Sequence, residues 1–142
     1  MRNILDRLTG GGTTDPDTIV DQYFYSTSID WTGPFSTSST ITFAKTNNLC
    51  VITCPIVSAT SVIFSSEITG SVEIPPEMKP QNGSFRSTLN LVVNNQLKVP
   101  GLVYIGADNR IHVSASAVRG TPFTPGSFMG GAAYGIIMVY LI

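Results

Sequence analysis

Charge is what this chain has least of. Eight lysines and arginines and nine aspartates and glutamates make up 12% of its 142 residues, for a formal net charge of −1. That is about half the usual ~25% share. No run of Lys or Arg occurs anywhere, and a sequence-independent grip on nucleic acid needs several phosphate-facing cations. Nucleic acid is therefore not an expected partner. There is one histidine, His112, so any Ser-His-Asp or Cys-His arrangement would have to be built on that single ring. In Arg110-Ile-His-Val it alternates with Ile111 and Val113, which predicts a solvent-facing strand position and not a catalytic base.

The cysteines number two, Cys50 and Cys54, half a metal site with no second pair to complete it. If they share a strand, their Cα atoms lie ~13 Å apart, beyond the ~7 Å that a disulfide spans. They are expected to be buried thiols acting as small hydrophobes. Acidic pairs are equally scarce. Glycan hydrolysis needs two carboxyl groups ~5–9.5 Å apart, and Glu67, Glu73, Glu77 and Asp108 are scattered over turns and strand ends. Asp15, Asp17 and Asp21 do not make a calcium loop, because Val20 and Ser26 stand where that loop requires Gly and Glu. Neither an enzyme nor a cofactor is expected.

Long apolar stretches are missing too. No segment reaches the ~20 residues that cross a bilayer as a helix. Met1 to Thr9 lacks the apolar core of a secretory signal, so the expectation is synthesis in a cytoplasm and release by lysis or particle assembly, without membrane insertion. No stretch keeps a 3.6-residue period for three turns.

What is present is a hydroxyl- and amide-rich chain cut by thirteen glycines and nine prolines into short apolar runs. Strands are predicted at 19–25, 40–44, 49–57, 61–65, 70–74, 84–93, 96–105 and 110–117, with a turn at 31–34. Ahead of them, Ile4, Leu5 and Leu8 form a short apolar stripe followed by Gly10-Gly11-Gly12. This reads as a particle anchor peptide and flexible linker over 1–17, followed by a head domain over 18–142; the alternative is a disordered terminus. Gly126, Gly130 and Gly131 form no phosphate loop, since no Lys-Ser/Thr follows, and are expected to let the chain pass close to a neighbouring backbone.

The C-terminal run, Ala132 to Ile142, carries no charge and reads as a strand apolar on both faces. Tyr134, Ile136, Met138, Tyr140 and Ile142 point one way, Ala133, Ile137, Val139 and Leu141 the other. One face belongs to the protomer's core and the other requires a second cover, most economically another copy of the chain. The expectation gives the Tyr134 face to the interface and the Val139 face to the core. The fold class is all-β, an antiparallel jelly-roll β-sandwich of about eight to ten strands.

One stretch is familiar. Ile74-Pro75-Pro76-Glu77-Met78-Lys79-Pro80, the strand Leu89 to Val93, the turn Asn94-Asn95, the strand ending at Ile105, the turn Gly106-Ala-Asp-Asn109 and then Arg110-Ile-His-Val113 resemble a pattern found in heads of bacteriophage tail fibres and related viral fibre proteins. Ile41 to Ile52 fits the strand, turn, strand opening of such heads. The resemblance covers about two thirds of the chain. The sequence departs from the pattern with Pro75 in place of leucine and Asn109 in place of glycine. The resemblance implies a trimeric jelly roll, similar also to tumour-necrosis-factor and complement globular heads, in a virion, with other virion proteins as partners at its base and a host receptor or glycan at its tip. It would make Tyr134, Ile136, Met138, Tyr140 and Ile142 the trimer interface. It assigns no receptor-binding residue. The competing reading is a purely structural minor capsid, penton or decoration protein.

Overall fold

The computed structural model describes residues 21–33, 37–55, 57–61, 67–93, 97–121, 126–130 and 135–142, with side chains described at 21–33, 37–55, 67–88, 100–121 and 135–142. The expected anchor, with Ile4, Leu5 and Leu8, lies outside the described residues, as do Tyr134 and the strand expected over most of 61–65.

Among the described residues are ten strands: β1 (Gln22–Thr32), β2 (Thr37–Thr46), β3 (Leu49–Cys54), β4 (Val57–Ser61), β5 (Ile68–Glu73), β6 (Arg86–Val93), β7 (Leu97–Ile105), β8 (Arg110–Ser114), β9 (Gly126–Gly130) and β10 (Ile136–Leu141), with a 3-10 turn at Pro76–Met78. Every pairing is antiparallel, in the order β10-β3-β2-β1-β5-β8-β7-β6-β9-β4. This is an all-β jelly-roll sandwich, as the spacing of short apolar runs predicts.

Its core comes from alternate positions of several strands: Ile29 and Trp31 of β1, Ile41 and Phe43 of β2, Cys50, Ile52 and Cys54 of β3, Ile111 and Val113 of β8, Ile136, Met138 and Tyr140 of β10. The corner where β1 meets β5 needs a residue without a side chain. Gly70 pairs with Trp31, and a Cβ there would come within 2.6 Å of Ile29 Cδ1.

Trp31, expected in a turn, is instead a buried strand residue. Its indole Nε1 donates to Ser39 Oγ at 2.7 Å, which removes the cost of burying that donor. The expected strand over 49–57 stops at Cys54, just before Pro55, which has no N–H to give to a ladder. Asn109 explains its own departure from the fibre-head pattern. It has φ 58°, a left-handed conformation for which asparagine is the usual substitute for glycine. The glycine-flanked segment 126–130 is itself a strand, pairing with β4 and β6.

The expectation for β10 is corrected. Its burial alternates in the opposite sense, with Ile136, Met138 and Tyr140 packed in the protomer's own core and Ile137, Val139 and Leu141 outside. Ile142, also assigned to the interface, packs partly against the core. The register accounts for this. Ile136, Met138 and Tyr140 lie opposite Cys54, Ile52 and Cys50, whereas Ile137 lies opposite the exposed Thr53. Tyr140 also finds an internal partner, donating its hydroxyl to the Met78 carbonyl at 2.7 Å. The 3-10 turn of the proline-rich segment thus closes over β10.

Candidate functional site

Two surface features stand out among the described residues, one apolar and one ionic. The apolar one is the outer face of β10-β3-β2-β1. Antiparallel register lines up Val139, Val51, Ala44 and Phe24 in one row across the four strands. Leu141, Leu49, Thr46 and Gln22 form the row on one side, and Ile137, Thr53, Thr42 and Ser26 the row on the other. None of these twelve side chains is charged. Phe24 is 76% exposed, Leu141 62%, Ile137 55% and Val139 51%. Scattered exposed hydrophobes are ordinary, but a contiguous patch marks a contact surface. Further along β1 and β2 the same face turns polar. The hydroxyls of Ser26 and Thr42 are bonded at 2.8 Å, and Ser38 Oγ donates to Asp30 Oδ1 at 2.7 Å.

The ionic feature surrounds His112, which is not the solvent-facing residue the sequence predicts. Its Nε2 lies 2.9 and 3.1 Å from the two carboxylate oxygens of Asp108. Its Nδ1 lies 3.2 Å from Glu67 Oε1 and 3.2 Å from Thr69 Oγ1. The imidazole also stacks on the Tyr104 ring, whose other neighbour is the Arg119 guanidinium at 4.6 Å. Glu67 is the hub. Its Oε1 accepts from the Tyr104 hydroxyl, and its Oε2 accepts from Ser114 Oγ at 2.6 Å and from the Gly120 N–H at 3.2 Å. Two of the carboxylates read from sequence as scattered are therefore brought to one ring. Glu73 joins Arg110 at 3.6 Å instead, and no cluster with metal-ligand geometry occurs among the described residues.

Electrostatics follows from these contacts. Burial alone would push the Glu67 carboxyl up, but the hydrogen bonds from Ser114 and Tyr104, the His112 ring and the Gly120 N–H together hold it below the usual carboxylate range. Asp108 is likewise lowered, with partial burial outweighed by its bonds to His112 and the Arg110 N–H. Burial and the neighbouring Glu67 push the Tyr104 phenol up.

The arrangement directs Ser114 to Glu67 and not to the imidazole, whose hydroxyl neighbour is Thr69. Its geometry ties the segment 115–121 and the turn 106–109 to the strands beneath them. Both cysteines are free and buried, as expected, and burial raises both thiols.

The sequence reading missed the outer apolar row. Its signal was present in the alternation of Leu49, Val51 and Thr53 against Cys50, Ile52 and Cys54, but assigning the faces requires the strand register.

Neither a family model nor a curated protein matches the chain. Among solved structures, a reovirus attachment protein, sigma1, crystallised in complex with alpha-2,3-sialyllactose, matches with a TM-score of 0.44 at 9% sequence identity. The match covers 86% of this chain and 66% of that one, so the chain spans just under two thirds of that protein's structure.

Proposed function

We propose that this chain is the head of a homotrimeric viral fibre or capsid-surface protrusion that attaches the virion to a host receptor, with glycans the leading class of ligand. Residues 1–17 serve as its link to other virion proteins. The observation that carries this reading is that the described parts of the two motif stretches, 41–52 and 70–113, lie in an all-β jelly-roll sandwich. The proline segment 74–80 closes over the terminal strand through the Tyr140–Met78 bond. The turn at 106–109 is held by the Gly106 N–H donating to the Arg110 carbonyl at 2.9 Å. These are the elements on which the resemblance to fibre heads rests. We read the Glu67–His112–Asp108 group as structural and the protein as a binding module with no catalytic role.

The test is binding of the labelled 142-residue chain to host cells and to a carbohydrate array, with competition against intact virions. Saturable binding that blocks virion attachment is expected. A folded oligomer that binds neither cells nor glycans would overturn the attachment role and identify a purely structural capsid or decoration protein.

A further inference from the structure

We infer that the outer face of β10-β3-β2-β1, centred on the row Phe24, Ala44, Val51 and Val139, is the surface through which copies of this chain pack against one another. The inference rests on the reading of the head as a homo-oligomer and assigns the interface to the face opposite the one that the sequence pattern suggests.

Composition and charge favour a second copy as the occupant, and size sets how far the contact must extend beyond the apolar centre. Four strands at ~4.8 Å spacing and three rows of positions along them span about 400 Å² of sheet. That is about half of the ~800 Å² that each partner contributes to a standard stable interface. The adjoining hydroxyl-rich part of the same face, with Ser28 opposite Thr40 beyond Ser26 and Thr42, supplies a polar rim around an apolar centre, the usual anatomy of such contacts. Discrimination of a foreign partner leans on complementary charge, and none of the twelve positions offers any. A centre without charge meets its own symmetry-related image without repulsion, and the carboxylate further along the same face, that of Asp30, accepts from Ser38 Oγ at 2.7 Å. Phe24, as a large exposed aromatic, is the natural anchor residue.

A charge on this face would be repeated by every copy and left unpaired in a dry contact. Val139→Asp and Phe24→Asp, on different strands, are each expected to weaken association at least about a hundredfold, the scale of a central interface residue. Both side chains point outward, so the circular dichroism of each variant should match wild type. Arg110→Ala, on β8, should keep the wild-type mass. Sedimentation of the four proteins over a concentration series decides the question. If the wild type is an oligomer and both aspartate variants remain one, the interface lies elsewhere and only this inference falls. A monomeric wild type would overturn the homo-oligomer reading as well, leaving the face to be covered from within the chain.

Discussion

At the scale of single residues, the Glu67 network is expected to make the protein sensitive to acid. Glu67 and Asp108 are both held below the usual carboxylate range in the folded protein. A group whose folded pKa is depressed stabilises the fold above its unfolded pKa, and that contribution is lost as pH falls through the folded value. The thermal midpoint should therefore drop as pH is lowered from about 5 toward 3, and Glu67→Gln should flatten that dependence. An equally steep acid slope in the variant would show that other carboxylates set it. The cysteines give a second prediction. Two free thiols per chain are expected on titration under denaturing conditions without reductant, and little reaction in the native state, because burial disfavours both thiolates. The cysteine outcome was legible in the sequence because it needs only the rise of a strand. The role of His112 was not, because its Glu67 and Thr69 partners arrive through the β5–β8 pairing, in which Thr69 lies opposite His112.

At the scale of elements, β10 shows where period-two reasoning stops. The strand itself was legible, and so was its need for cover on two faces. Which face turned inward was not, because Met and Tyr on one side and Ile, Val and Leu on the other are equally apolar. The choice was made by register against β3 and by the Met78 carbonyl waiting for the Tyr140 hydroxyl. Met138→Asp is accordingly expected to unfold the protomer, since it buries an unpaired charge at a cost of several kcal/mol. Soluble, native-like Met138→Asp would mean the strand faces the other way. Tyr140→Phe should cost about 1–3 kcal/mol in denaturant unfolding, the penalty for leaving a buried acceptor unpaired. The start of β10 depends on Gly135, which has φ 73° and where an added Cβ would collide with the Cys54 carbonyl. Gly135→Ala should destabilise the strand by more than the ~1 kcal/mol of an ordinary glycine replacement, measured by the same unfolding curves.

At the scale of the whole molecule, the jelly-roll class was legible because nearly every short apolar run is bounded by turn residues and none has helical periodicity. Boundaries were less so where a proline or a tryptophan decided them. β3 ends before Pro55, and β1 runs on through Trp31 because the indole has a hydroxyl to bond. On the proposed reading, other copies cover the uncharged patch four strands wide and the protomer does not exist alone. The solution mass of the 142-residue chain, measured by sedimentation equilibrium at micromolar concentration, tests this most directly. The account predicts three times the 15.2 kDa protomer. A single species at the protomer mass, with Phe24, Val139 and Leu141 left in water, would contradict it.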